Sequence, residues 1–290
     1  MAAPKPAVVI RDLKSFDDLK QAEALEREVW KLHDLDVLPI TVAVATREAG
    51  NLWLGAFDGR KLVGFSFGFF GMEGGRLMVH SHMLAVHEQY QDSDLGFRLK
   101  LAQRERVLAL RIPEITWTFD PLQSKNAHLN FMKLGVISEK YKIDFYGPQT
   151  SSILHRNSTD RFWVRWPLAS RRVKQRLEGK DCRAEVLEVL SRLTPLVRFD
   201  VSGRPAQTDL ASALSRQRIA VEIPSYIAQI EERDPELARE WRRATRWAFS
   251  EALQAGFFVA EFCRTVRGNQ GPGAYLLEKG PAQDSVPELA

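Results

Sequence analysis

Cysteine is scarce in this chain: two residues in 290, Cys182 and Cys263, lying far apart. That excludes a small disulfide-stapled scaffold and fits two free thiols in a reducing cytoplasm. Long apolar runs are missing too. A stretch such as Val107 to Leu110 is among the longest, against the ~18 consecutive apolar residues that a membrane span needs, so no membrane partner is expected. Met1 to Pro6 has no apolar core, so no secretory leader is expected. A strong charge of one sign is absent as well. Lys plus Arg number 41 and Asp plus Glu 37, a net +4. Basic residues cluster at Arg171, Arg172, Lys174 and Arg176, and again at Arg239, Arg242, Arg243 and Arg246. Both runs are interleaved with apolar or acidic residues at helical spacing, which reads as solvated helix faces and not as a nucleic-acid surface.

What is present is ordinary globular material. Apolar residues make up 44% and charged residues 27%, which excludes long disorder and leaves enough apolar matter for one large core or two modest ones. Residues 7 to 168 alternate in type. Val8 to Arg11 reads as a strand, and Ser15 with Asp18 as a capping box opening a helix to Trp30. A short helix, Val42 to Glu48, follows. Next come three strands, with Asp58-Gly59 as a hairpin turn between the first two. In the second of these, Val63, Phe65, Phe67 and Phe69 share one face. Gly64, Ser66 and Gly68 share the other, where a backbone or ligand has room to approach. Leu77 to Val86 is apolar on both parities and reads as a central strand. A helix from Leu95 stops at Pro113, and Ile115 to Phe119 is a fifth strand. A helix over 124–134 is capped by Gly135, and Tyr141 to Tyr146 and Arg161 to Trp166 are further strands. After residue 168 the pattern predicts a helix over 171–192, then a β-β-α-β-β order built around a long helix from Pro235 to Ala255. The organisation read from this is residues 1–168 as one domain, a helical linker over 169–205, a smaller α+β domain over 206–279 and a loose tail over 280–290.

Leu84-Ala85-Val86, the loop Tyr90 to Gly96, the helix after it, Trp117 to Asp120, Asn126 and Phe131 to Gly135 occur in an order and spacing that resemble the GNAT superfamily of acyl-CoA-dependent N-acyltransferases. More narrowly, His80 to Leu84, Thr116 to Leu122, Thr159 to Phe162, Val221 to Pro224 and Trp241 to Arg246 resemble a little-described GNAT-like family with an extra C-terminal domain. Some relatives of that family are associated with N-succinylation of amino acids. The resemblance implies an α/β (α+β) fold with a mixed, splayed central sheet flanked by helices. It also implies acetyl-CoA or another acyl-CoA, such as succinyl-CoA, as co-substrate, and a small-molecule amine as acceptor.

Residue chemistry runs alongside that resemblance. A pyrophosphate needs backbone N–H donors and positive potential, and a helix N-terminus supplies both. The loop Gln91, Asp92, Ser93, Asp94, Leu95, Gly96 stands directly before one, with Phe97 and Arg98 in the first turn. Gly96 permits close backbone approach, and Arg98, Lys100 and Arg104 offer charge. Any polar loop before a helix has this look, so the loop alone does not decide. Asp94 stands where the family has Gly, and with Asp92 it places carboxylates against a bound phosphate. Leu84, Ala85 and Val86 mark the strand whose bulge, in this family, binds the thioester oxygen. Asn126 matches an amide contact to the cofactor, and Phe131 replaces a Tyr that serves as general acid in many relatives. Tyr90, Tyr141 or water are the substitutes.

For the base, His80 and His82 share one strand face and have a suitable unperturbed pKa. His82 is the first candidate, His80 lies beside it and Asp120 is the alternative. Each of these has a plain structural reading as well: a satisfied core histidine, or the start of the Asp120-Pro121 turn. His87 has the opposite parity, and no cysteine or carboxylate completes a metal spacing, so no metal is expected. Arg161 is the candidate for holding an acceptor carboxylate, with a surface ion pair as its plain reading. The leading function is N-acyl transfer from acyl-CoA, and the alternative is a non-catalytic GNAT-like protein that has weakened or lost CoA binding. A homodimer stays open.

Overall fold

The computed structural model describes residues 8–91, 93–147, 157–267 and 271–282. Asp92 and the end of the expected tail, 283–290, lie outside them. Among the described residues no helix is long and apolar enough to cross a membrane. The chain is mixed α+β and divides into two compact units between Trp117 and Thr118, inside the fifth strand.

The first unit contains β1 (Val9–Asp12), α1 (Phe16–Trp30), α2 (Ile40–Glu48), β2 (Leu52–Asp58), β3 (Lys61–Glu73), β4 (Arg76–Val86) and α3 (Leu95–Ala109). The start of β5 (Glu114–Phe119) completes it. The capping box is formed: Ser15 accepts from the Asp18 N–H and Asp18 accepts from the Ser15 N–H. The strands lie in the order β1-β2-β3-β4-β5. All neighbours are antiparallel except β4 and β5, which are parallel, as the intervening helix requires. β3 pairs β4 from one end of β4 to the other, from Gly64 with Val86 to Glu73 with Arg76. The β4–β5 ladder holds only Val79 with Ile115 and His80 with Thr116. Beyond those pairs the two strands part.

Two bulges set which side chains face which layer. One is at Val63, where Ala56 pairs Gly64 and Phe57 pairs Leu62. It turns Val63 toward α3, with Leu54, Ala56, Leu95 and Leu99. Val63 therefore does not share the face of Phe65 and Phe67, which pack with Trp53, Leu19 and Leu25 on the α1 side. A single inserted residue reverses the alternation that a sequence pattern assumes. The small face of β3 is occupied by α3 and not by a ligand. A Cβ on Gly68 would come within 2.9 Å of the Gln103 amide, and one on Gly64 within 3.3 Å of Leu99.

The second unit carries α4 (Ser124–Ala127), which continues as a π-helical segment His128–Leu134 and ends at Gly135 with φ 74°. β6 (Ile137–Lys142), β7 (Arg161–Pro167), α5 (Arg171–Leu177), α6 (Arg183–Ser191), β8 (Val197–Phe199) and β9 (Pro205–Gln207) follow. Then come α7 (Leu210–Leu214), β10 (Arg218–Ile223), α8 (Ile227–Arg233), α9 (Pro235–Gln254), β11 (Phe257–Cys263) and β12 (Gly273–Lys279). Its strand order is β7-β6-β11-β12-β10-β8-β9. The strand expected at Tyr141 to Tyr146 ends at Lys142. Asp144 takes a left-handed φ of 45° and its N–H donates to Asp160, which turns the chain. The helix expected over 171–192 is two helices, broken where Gly179 adopts φ 82°.

The basic runs are not simply solvated faces. Arg172 and Arg176 both reach Glu261, at 2.8 and 2.6 Å. On α9, Arg242 and Arg246 point inward, while Arg239 and Arg243 pair with Glu236 at the surface.

Candidate active site

β4 brings the histidine pair together. Phe67 pairs Met83 and Gly68 pairs Ser81, so His82 is the extra residue of a bulge in β4. It lies two residues past the point where pairing to β5 stops. A bulge re-aims one side chain and leaves local backbone groups outside the ladder. Both imidazoles face Phe69, with ring centroids at 5.3 Å for His80 and 5.8 Å for His82. The two imidazoles are 6.3 Å apart.

Their environments differ. His80 is buried, and its Nδ1 is 3.0 Å from the Thr116 hydroxyl, which in turn contacts the Met78 sulfur. Burial, with the nearby His82 and Lys100, lowers its pKa to about 4. His82 reaches solvent, and its ring nitrogens make no hydrogen bond among the described residues. Desolvation by the surrounding groups, including the Phe67 and Phe69 rings, still lowers its pKa below 6.5. Both imidazoles are therefore neutral near pH 7, and the His82 nitrogens stay unengaged among the described residues.

His87 stands apart from the pair. Its Nε2 is 3.0 Å from Glu28, and its Nδ1 accepts from the Gln89 N–H. On the other side of β4, Lys100 does not offer its charge to the loop. It is buried, donates to Ser81 at 2.8 Å and lies 3.7 Å over the Trp117 ring. Burial lowers its pKa to about 7. Arg104 stands about two and a half turns into α3, too far along to serve the first turn.

The loop before α3 turns through Tyr90, whose carbonyl accepts from the Ser93 hydroxyl and N–H. Gln91 donates to the Val86 carbonyl. Asp94 occupies the N-cap position with φ 55°, a left-handed conformation, and its side chain does not cap the helix. Glycine adopts that conformation without a Cβ penalty, which accounts physically for the family's preference. The first N–H with an α-helical partner is that of Arg98, bonded to the Asp94 carbonyl. The amides of Leu95 and Gly96 stand before it, the usual orphan donors of a helix start. Leu95 is core, Phe97 is half-buried, and Arg98 donates to the Val8 carbonyl. Leu84 and Val86 pack on the α3 side of β4, and Ala85 is buried on the α1 side.

Gly96 is the informative residue of this loop. It does not adopt a left-handed φ, and an added Cβ would meet only Leu84 at 3.7 Å and Val86 at 3.9 Å, ordinary contact distances. Nothing within the fold demands glycine there, although a helical glycine costs about 1 kcal/mol relative to alanine.

The remaining candidates lie in the second unit. Asn126 is exposed in the first turn of α4. Phe131 is fully buried, edge-on to Phe119 and Tyr275 at 6.2 and 5.8 Å. Arg161 is buried, donates to the Asp160 carbonyl and lies 5.3 Å from the Tyr146 ring centroid. Asp120, expected as the alternative base, accepts two parallel bonds from Arg242, both 2.8 Å, and one from the Leu122 N–H at 2.9 Å. Burial opposes the Arg242 charge, but Asp120 more than offsets it, and the arginine's pKa is raised. A carboxylate held in this way has a structural role as the anchor of Arg242. The phenols that stand in for the missing tyrosine are also committed. Tyr90 donates to Asp58 and Tyr141 to Asp160, each at 2.6 Å. The sequence reading missed the Arg242–Asp120 pair and the Arg246–Asp160 pair. Their one trace was two arginines four apart, which one helix turn places on a common face.

No family model and no curated protein sequence matches the chain. Solved structures do share its fold over a little more than half its length. The ribosomal-protein-S18-alanine N-acetyltransferase from Escherichia coli is 15% identical, with a TM-score of 0.45 over 56% of this chain and 95% of that one. An acetyltransferase of the GNAT family from Streptococcus pneumoniae is 17% identical, with a TM-score of 0.43 over 55% and 97%. An aminoglycoside 6′-N-acetyltransferase complexed with coenzyme A is 15% identical, with a TM-score of 0.42 over 56% and 98%. At such identities the likeness is one of fold: the chain is similar in fold to GNAT N-acetyltransferases, and the chemistry of its own site stands on its own residues.

Proposed function

We propose that this protein transfers an acyl group, acetyl or succinyl, from acyl-CoA to the amine of a small molecule such as an amino acid. The observation that carries the reading is the bulge at His82, just past the end of the β4–β5 ladder. It puts a neutral, unengaged imidazole beside strand backbone that has no β5 partner. The pyrophosphate is assigned to the amides of Leu95 and Gly96, and the pantetheine arm to the opening beside Leu84, Ala85 and Val86. The acceptor arrives as an ammonium. One proton passes to His82 and on to solvent, the N–C bond forms at the thioester carbonyl and the C–S bond breaks. The amine's second proton follows the departing thiolate by way of water. Titration calorimetry with acetyl-CoA and succinyl-CoA, followed by assay of free thiol release with a panel of amines, tests this. Saturable binding without thiol release for any amine favours the non-catalytic alternative, and absence of binding to both thioesters removes the reading.

Two variants at the loop sharpen the test. Gly96→Ala is expected to raise folding stability by up to about 1 kcal/mol while weakening CoA binding several-fold, because the added methyl stands where the pyrophosphate approaches the backbone. If Gly96→Ala bound CoA as tightly as the parent, the phosphate site would lie elsewhere. Asp94→Gly removes a carboxylate from that approach and relaxes a left-handed φ. Tighter CoA binding is expected, about tenfold for one repulsion of about 1.4 kcal/mol. Weaker binding by a folded Asp94→Gly protein would mean that the aspartate serves the ligand.

A further inference from the structure

The second unit holds a cavity of about 860 Å³ between β8, the end of β10, α8 and the start of α9. That volume is in the range of small-molecule sites, about 300–1,000 Å³. Its lining joins two kinds of surface. Phe199, Pro224, Ile230, Leu237 and Pro272 are apolar walls. At the mouth Val201 is fully exposed and Tyr226 is 50% exposed. Exposed apolar side chains gathered around one concavity mark a surface that is covered in use.

Three arginines, Arg198, Arg233 and Arg267, stand in the same lining. Arg267 is held by the buried Glu222, at 2.6 Å, and Glu222 also accepts from the Phe199 N–H. Arg198 and Arg233 are exposed and make no hydrogen bond or ion pair among the described residues. The two acids in the lining are both engaged locally. Asp200 accepts from the Ser202 and Arg204 N–H groups in its own turn. Asp234 caps α9 through the Leu237 N–H. Arg198 and Arg233 thus present guanidinium N–H donors without a hydrogen-bond partner among the described residues, beside apolar walls. We propose that this cavity binds a small organic carboxylate with an apolar body, its carboxylate held by Arg198 and Arg233 and its body laid against Phe199, Val201 and Tyr226. A guanidinium presents two parallel donors that match a carboxylate. Cavity and arginines all belong to the second unit, so this ligand binds or fails to bind irrespective of any acyl transfer.

Calorimetric titration of the full chain with 2-naphthoate tests the site, with neutral 2-naphthamide and inorganic phosphate as companions. A saturable one-to-one isotherm is expected for naphthoate, with the amide and phosphate each weaker by at least about tenfold, the worth of one charge-assisted contact or of the buried ring. Arg198→Gln and Arg233→Gln should each weaken naphthoate by about tenfold, with unchanged melting temperatures since both side chains are exposed. Arg239→Gln, on the surface of α9, should bind like the parent. Equal affinity for acid and amide would remove the arginines from the site, and phosphate binding as tightly as naphthoate would remove the apolar walls. Parent-like binding by both glutamine variants, or no saturation by about 5 mM, would overturn the proposal.

Discussion

His82→Gln is expected to lower kcat by about 10²–10⁴-fold, the usual worth of a positioned general base, while CoA affinity and melting temperature stay near those of the parent. Glutamine keeps the reach and hydrogen-bonding capacity of the imidazole but does not titrate near neutrality. The side chain reaches solvent and has no hydrogen-bond partner among the described residues to lose, so folding has little stake in it. A pH profile adds an independent readout. Burial of the surroundings lowers the His82 pKa below 6.5, so the basic form persists further into acid than for a free histidine. The acid limb of kcat/KM, which reports the free enzyme, should fall below 6.5 in the parent. It should vanish in His82→Gln, while any limb at higher pH from the acceptor ammonium remains in both. A destabilised but fully active variant would show a structural histidine and move the proton to water.

Asp120→Ala is expected to destabilise the second unit by about 3–5 kcal/mol, because it leaves the Arg242 guanidinium buried without its counter-charge. The side chains of the pair are 4% and 7% exposed, and their two 2.8 Å bonds close a fork. Arg242 also donates to the Asn157 carbonyl, and Asn157 donates to Ala238, so the charge is built into the packing of α9. Replacing both partners, Asp120→Leu with Arg242→Met, should recover most of the loss, since a buried ion pair and apolar side chains of similar volume are often close in free energy. Chemical denaturation of the three variants measures this. Activity of Asp120→Ala should follow its folded fraction. A stable Asp120→Ala protein with lost turnover would return Asp120 to the list of bases.

Local patterns were legible in the chain itself. Ser15 and Asp18 announced a helix start that needs only its own turn to form. The apolar run through Leu84 marked a central strand, and the helix after it required β4 and β5 to be parallel. The histidine pair at positions 80 and 82 and the loop before α3 could be named because each lies within a few residues of chain.

What escaped the sequence has one physical origin: it depends on register or on partners far along the chain. A bulge adds one residue to a strand, and no local preference at Val63 or His82 reports it, because the pairing strand decides. Arg242 and Arg246 have the composition of a solvated helix face, and only the distant Asp120 and Asp160 turn them into buried anchors. Lys100 likewise looked like a phosphate ligand until packing placed it against Ser81 and Trp117. Which elements form was written in the local sequence; which histidine keeps an open nitrogen, and which charges are already paired, was decided by the tertiary structure, because burial and long-range pairing are properties of the folded chain alone.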